Sequence, residues 1–126
     1  MKHLSDEFFM EILLSYLEFI QYKMYAKDVF QINDNNVMML NHNFTPKSNI
    51  VCKHANDTSK ETMKTIVHEL YLKYIETYCE YPINISYETR NGLNILLNYD
   101  NWLTINISDN ELYTIFDDCI QEMRDL

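Results

Sequence analysis

Hydrophobic and polar residues alternate with a period of two from residue 83 to residue 108, which is the pattern of half-buried β-strands. Three-residue loops at 90–92 and 99–101 would bring the apolar residues of neighbouring strands onto one face. Gly92, the only glycine in the chain, would then occupy a left-handed turn position. The pattern therefore predicts a three-strand antiparallel meander over 83–108.

Three other stretches carry apolar residues at intervals of three and four, which is typical of a helix with one buried face. Thr58-Ser59-Lys60-Glu61 and Ser108-Asp109-Asn110-Glu111 are capping boxes, and Ser5 can cap a first helix. The predicted helices cover about 5–28, 59–80 and 109–125.

A weaker pattern predicts hairpins near 29–54. Together these elements predict an α+β fold, in which an antiparallel sheet packs against three helices. No linker, low-complexity tract or internal repeat divides the 126 residues. We therefore expect a single domain over 1–126.

Acidic residues line the face of the last predicted helix that is opposite its apolar face. At about 100° per residue, four of them lie together and a fifth lies at the edge of the stripe. An acidic stripe can be a solvated helix face or a surface that binds a basic partner, and the sequence leaves both interpretations open. The stripe comprises Glu111, Asp118, Glu122 and Asp125, with Asp117 at its edge.

Two large apolar residues break the alternation of the predicted meander. Leu96 and Trp102 fall on its polar face, where they would be anchors for a partner unless another element covers that end of the sheet. Tyr99 and Asp100, in the second predicted loop, extend the same surface. These four residues and the acidic stripe form the predicted partner-binding surface.

Charge is distributed unevenly along the chain. Residues 1–75 hold nine acidic and eight basic residues, whereas residues 76–126 hold ten acidic and two basic residues, so the second part carries −8 of the net charge of −9. Such a field repels nucleic acid and anionic membranes and attracts basic proteins. We therefore expect a basic protein partner and no direct binding to nucleic acid or membranes. The sequence also leaves open that the protein forms a homodimer.

Motifs for cofactor binding and catalysis are absent from the sequence. A single glycine excludes Gly-rich phosphate loops, and His68-Glu69 lacks the second histidine of H-E-x-x-H because position 72 is leucine. Cys52 and His54 could lie on one side of a strand, with His42 nearby in the preceding loop, and these three could bind zinc, but no fourth ligand is evident. We expect no catalytic residue, no cofactor and no metal.

Three cysteines do not make a disulfide framework, and the N-terminal residues do not resemble a signal peptide, so we expect a cytoplasmic protein. The resulting hypothesis is a small acidic inhibitor, of the immunity-protein or phage anti-defence type, that blocks a basic nucleic-acid-handling enzyme such as a nuclease. One alternative is an accessory subunit that self-associates through Phe8, Ile12 and Phe19. Another is a small enzyme that uses the Cys52–His54 region.

Overall fold

The computed structural model describes residues 6–32, 49–54, 59–97 and 102–125, except for the side chains of 6–11, 49, 52 and 103. Helices account for all the regular structure in these ranges, and no strand occurs in them. The α-helices span Asp6–Phe30 (α1), Asn49–Lys53 (α2), Lys60–Tyr74 (α3), Tyr87–Leu97 (α4), Asp109–Thr114 (α5) and Asp117–Arg124 (α6), and Trp102–Thr104 form a 3₁₀ turn.

The predicted α+β fold is wrong. The region of the predicted meander, 83–108, contains α4, the 3₁₀ turn and irregular segments instead of strands in its described part. In the region of the hairpins predicted near 29–54, the described residues are not strands, because residues 29–30 end α1 and residues 49–53 form α2. Residues 33–48 lie outside the described residues.

Helix α4 forms because its sequence satisfies a helical period as well as an alternating one. Leu93 and Leu97, four residues apart, are both buried, whereas the strand pattern would also bury Ile95, which is 58% exposed. The Oγ of Ser86 accepts a hydrogen bond from the backbone N–H of Thr89 at 3.2 Å, which is the bond that caps a helix N-terminus. Local capping and a buried helical face therefore replace the predicted hairpin.

The three predicted helices are present, with changes at their ends. α3 is capped by Ser59, whose Oγ accepts from the N–H of Thr62 at 3.2 Å, one residue later than predicted. α5 is capped as predicted, by a bond of 3.1 Å from the N–H of Glu111 to the Oγ of Ser108. The third helix is not continuous, because a turn at residues 115–116 divides it into α5 and α6.

Helix α1 ends in a Schellman motif. Gln31 has a φ of 54°, and the N–H of Ile32 donates to the carbonyl of Lys27 at 3.0 Å. The left-handed residue at this position stops the helix at Phe30. None of the described helices combines the length and the apolar character that crossing a bilayer requires.

Helix α3 ends at Tyr74, well before the predicted end near residue 80, because the chain folds back over its C-terminus. The N–H of Ile83 donates to the carbonyl of Tyr74 at 3.1 Å. The guanidinium of Arg90 donates to the carbonyls of Ile75 and Ile83, which ties this returning segment to α4. Carbonyls that a helix end leaves free are thus satisfied by the segment that follows it.

Helix α1 packs across α3, α5 and α6 and supplies the centre of the core. The rings of Phe19 and Phe116 lie 4.6 Å apart, and the hydroxyl of Tyr22 donates to the carbonyl of Leu112 at 2.7 Å. Phe19 is fully buried, so it is not available for the self-association that its position on α1 suggested.

Trp102 lies in the core and is only 2% exposed, so its predicted outward position is wrong. Its indole N–H donates to the carbonyl of Lys64 at 3.1 Å. The ammonium of Lys64 lies 5.3 Å from the indole ring centroid and donates to the carbonyl of Ile105 at 2.6 Å. Burial lowers the pKa of this ammonium. The tryptophan and the lysine therefore hold the 3₁₀ turn and the residues after it against α3.

Glu122 joins α6 to the N-terminus of α4. Its carboxylate accepts hydrogen bonds from the N–H and the hydroxyl of Ser86 and from the hydroxyl of Thr89, and the Ser86 hydroxyl lies at 3.0 Å. The bond from Thr89, followed by that from the Ser86 N–H, lowers the pKa of this carboxyl group. The carboxylate also meets the positive end of the α4 dipole.

Replacing Trp102 with alanine should destabilise the protein by about 3–5 kcal/mol, because it leaves a cavity in the core. Chemical denaturation followed by far-UV circular dichroism measures the loss. Tyr78→Ala is the matched control, since Tyr78 is 93% exposed, and it should change the free energy of unfolding by less than about 0.5 kcal/mol. Equal losses in the two variants would contradict the buried position of Trp102.

Replacing Glu122 with glutamine should lower the free energy of unfolding at neutral pH by roughly 1–3 kcal/mol, because charge-assisted bonds to α4 are lost. The folded-state pKa of Glu122 is lowered. The contribution is therefore fully present above the unfolded-state value of about 4.3 and is lost as the pH falls through the folded-state value.

The difference in unfolding free energy between the wild type and Glu122→Gln should thus shrink on acidification. Asp125→Asn at the C-terminal cap of α6 is the control, because Asp125 is exposed and its side chain accepts only from Gln121 among the described residues. Thermal melts across the acidic range measure both variants. A difference for Glu122→Gln that stays constant with pH would refute the capping role.

Candidate protein-binding groove

A groove of about 310 Å³ lies between α4 and the α5–α6 segment, and we call it the α4/α5 groove. One wall is a single face of α4. The other wall consists of residues of α5 and the start of α6, together with Ile107, which precedes α5. The groove is lined by Glu88, Thr89, Gly92, Leu93, Leu96, Ile107, Glu111, Thr114, Ile115 and Asp118.

Helical spacing explains why these residues meet. On α4 the lining positions are 88, 89, 92, 93 and 96, which recur every three or four residues and so share a face. The opposite wall shows the same spacing at 107, 111, 114, 115 and 118. One face of α4 therefore opposes the α5–α6 segment along the groove, with Ile107 and Ile115 just outside α5.

The floor of the groove is apolar. Leu93 and Ile107 are buried, and Leu96 and Ile115 are partly buried and pack against the core. Gly92 contributes no side chain, and a Cβ added at this position would meet nothing within 4 Å. The floor thus offers aliphatic carbon at its base and open space beside α4.

The rim of the groove is acidic. Glu88, Glu111 and Asp118 are exposed, and none of them lies within ion-pair distance of a basic side chain in the described part of the chain. Each lies in the first turn of its helix. A helix N-terminus carries about half an elementary positive charge, which is less than the full charge of each carboxylate, so the rim stays negative.

Other acids of this region are already occupied. Asp117 pairs with the ammonium of Lys23 at 2.5 Å, and Asp109 pairs with that of Lys60 at 3.3 Å. Glu122 caps α4, as described above. Lysines of the first half of the chain therefore neutralise part of the acidic second half. The rim acids remain without a basic partner among the described residues, and Glu111 also accepts a hydrogen bond from the hydroxyl of Ser108 at 3.1 Å.

The predicted partner-binding residues fall into three groups. Glu111, Asp118 and Leu96 come together in the groove. A second group lies elsewhere in the fold: Asp117 is paired with Lys23, Glu122 is bonded to α4, Asp125 is exposed at the end of α6, and Trp102 is buried. Tyr99 and Asp100 lie outside the described residues.

Leu96 is the one residue of the α4 wall that sequence reasoning placed in the partner-binding surface. Glu88, Gly92 and Leu93 were interpreted as strand and turn residues, which placed them away from the acidic helix. A helical signal was present, because Ser86 can cap a helix that has Leu93, Leu96 and Leu97 on one face. Leu96 fits that face and does not fit the strand alternation.

The structure differs from the strand that was predicted around Cys52 and His54. The strand predicted there is wrong, because Asn49–Lys53 form helix α2 and His54 follows it in a turn. The Nε2 of His54 lies 3.2 Å from the Oε2 of Glu69. Within the described residues, no three His, Cys, Asp or Glu side chains are close enough to share a metal ion.

The two cysteines with described side chains are protonated at neutral pH. Burial raises the pKa of the Cys119 thiol to about 12, and it also raises the pKa of Cys79. A thiolate is the nucleophilic form of cysteine. Neither position therefore has the environment of an activated nucleophile.

The functional assignment rests on the geometry and the charge of the α4/α5 groove. Comparison of the chain with protein-family models, with curated proteins and with solved structures finds no match.

Proposed function

We propose that the protein is a protein-binding inhibitor, of the immunity-protein or phage anti-defence type, and that its α4/α5 groove holds a basic surface of the partner. The observation that carries this proposal is the arrangement of Glu88, Glu111 and Asp118, free of basic partners within the described residues, around an apolar floor. The partner is a nucleic-acid-handling enzyme, such as a nuclease, whose substrate site is basic.

The groove has the composition of a small interface centre. Apolar contacts at the middle of an interface supply most of the binding free energy when a polar rim excludes water. Leu93, Leu96 and Ile115 offer such contacts, and the three rim acids surround them. Apolar floor and charged rim together favour a protein surface over an inorganic cation.

The net negative charge should increase the rate of association with a basic partner. The −8 carried by residues 76–126 belongs to the part of the chain that contains both walls of the groove. A field of this kind can raise association rates by about 10- to 1,000-fold, and salt weakens it. Binding should therefore be fast at low salt and markedly slower at high salt.

Inhibition follows from the same charges. A nuclease surface that binds phosphates presents lysine and arginine side chains, and carboxylates can pair with the same groups. An occupant of the groove would thus be withdrawn from nucleic acid. The inhibitor needs no catalytic group of its own, since it acts by occupying the substrate site.

Self-association through α1 is a second function with narrower support. Leu13 and Leu14 are 42% and 40% exposed on this helix. Of the residues predicted to mediate this self-association, Phe19 is buried and Ile12 is partly exposed. The side chain of Phe8 lies outside the described residues.

The rim acids provide the test of the inhibitor proposal. The triple variant Glu88→Gln, Glu111→Gln and Asp118→Asn removes the rim charge and should weaken capture of a basic protein from a lysate of the native host by about tenfold or more. Stability of the variant is checked by thermal melting. The captured protein is then purified, and its activity on nucleic acid is assayed with one equivalent of each variant.

A second triple variant changes the net charge equally and leaves the groove intact. Asp28→Asn, Glu61→Gln and Glu80→Gln replace exposed acids that do not line the groove. This variant should capture and inhibit the partner like the wild type. Equal loss in both variants would assign binding to overall charge, and a captured enzyme that stays fully active would refute inhibition. A stable homo-oligomer in light scattering, with no captured partner, would favour self-association.

A further inference from the structure

We infer that the occupant of the α4/α5 groove is a short amphipathic α-helix of the partner. It carries apolar residues at positions i, i+4 and i+7, with lysine or arginine on both borders of this apolar ridge. The inference rests on the proposed function, because it specifies which part of a basic partner enters the groove.

The walls of the groove exclude recognition by added strands. An extended peptide gains much of its affinity by pairing its backbone with the edge of a sheet. The described residues contain no strand, and the walls are built from α4, α5, α6 and the turns beside them, so they offer no sheet edge to an extended peptide. Recognition must therefore come from side chains, as it does when an amphipathic helix lies in an apolar groove.

The length of the groove matches about two turns of helix. Its α4 wall runs from Glu88 to Leu96, which at about 1.5 Å per residue is roughly 12 Å. A helical ridge from i to i+7 covers about 10.5 Å, so three of its side chains fit along the floor. An extended peptide would cross the same distance in about four residues and would place only alternate side chains on the floor.

Gly92 marks the place of closest approach. Glycine is the least favourable residue in a helix interior apart from proline. Gly92 does not have a positive φ, and an added Cβ would meet nothing within 4 Å, so neither the fold of α4 nor its packing requires glycine there. A glycine at a wall of the groove allows another backbone to approach closely.

Charge on both walls fixes where the basic residues of the occupant lie. Glu88 extends from α4, and Glu111 and Asp118 extend from the opposite wall. A helix that lies between the walls has one border facing each of them. Basic residues on both borders of the apolar ridge therefore meet carboxylates, as charged residues beside a coiled-coil seam meet their partners.

Synthetic peptides of about 15 residues test the inference directly. The first has leucine at i, i+4 and i+7 in an alanine background, with lysine on both borders of the leucine ridge. The second has the same composition but leucine at i, i+2 and i+4, so the leucines do not share a face. The third has the first sequence with proline at its centre, which breaks the helix.

Titration calorimetry should show the first peptide binding about tenfold tighter than either of the others. Binding should raise its helicity in circular dichroism. The rim triple variant should lose this binding, and the control triple variant should keep it. Ile95→Ala should also keep it, because Ile95 is exposed and does not line the groove.

Two substitutions at Gly92 locate the peptide. Gly92→Leu places a side chain in the groove and should reduce binding by about tenfold or more. Gly92→Ala gives the intermediate case: its methyl group meets no atom of the free protein, so it should raise the melting temperature, but it should weaken binding to a smaller degree than leucine because it obstructs part of the close approach. If Gly92→Leu bound the first peptide like the wild type, the peptide would lie elsewhere and the inference would be wrong.

The remaining outcomes separate this inference from the proposed function. Equal binding of the three peptides, lost in the rim triple variant, would overturn the helical occupant and leave a basic occupant in place. Failure of all three peptides, with inhibition of the captured enzyme that still depends on the rim acids, would overturn only the helical inference. Binding and inhibition that both ignore the rim acids would overturn the two proposals together.

Discussion

The carboxylate of Glu122 is the contact on which the groove depends. It accepts hydrogen bonds from the N–H and the hydroxyl of Ser86 and from the hydroxyl of Thr89, so α6 holds the first turn of α4 in place. Glu88 and Thr89 lie in that turn and line the groove. The hydrogen bonds of Arg90 to the carbonyls of the segment after α3 restrain the same turn from another side. The position of one wall relative to the other is thus set at the N-terminus of α4, where free N–H groups need an acceptor.

Helix dipoles and ion pairs together explain why the rim of the groove is negative. Several acids of the second half lie in the first turns of α4, α5 and α6, where helix dipoles stabilise them. Lysines on α1 and α3 neutralise Asp117 and Asp109, and the arginine nearest to the groove wall, Arg90, is held by backbone carbonyls. The acids on the groove side are those that the described basic residues do not reach. A structural preference for acids at helix starts therefore leaves negative charge around the groove.

Local signals in the sequence predicted the elements that depend on local interactions. Ser108 caps its helix as expected, and α1 and α3 begin close to their predicted starts, because capping and helical spacing act within a few residues. The prediction for the α4 region was wrong because Leu93, Ile95 and Leu97 fit a strand alternation, while Leu93 and Leu97 also fit a helix. The choice between them depends on packing against α3, where the hydroxyl of Tyr71 donates to the side chain of Asn94 at 2.8 Å. Such a contact between distant residues has no local signature.

Residues that break a pattern carried the most information about the groove. Leu96 contradicts the strand alternation and lies on the groove face of α4, and Trp102 contradicts it and is buried against α3. Gly92 was assigned to a turn because glycine tolerates left-handed conformations, yet it lies in a helix without a positive φ. What matters at Gly92 is then the absence of a side chain and not the freedom of its backbone. The proposed occupant of the groove therefore rests more on this glycine, which the helix does not need, than on the acidic stripe predicted from the sequence.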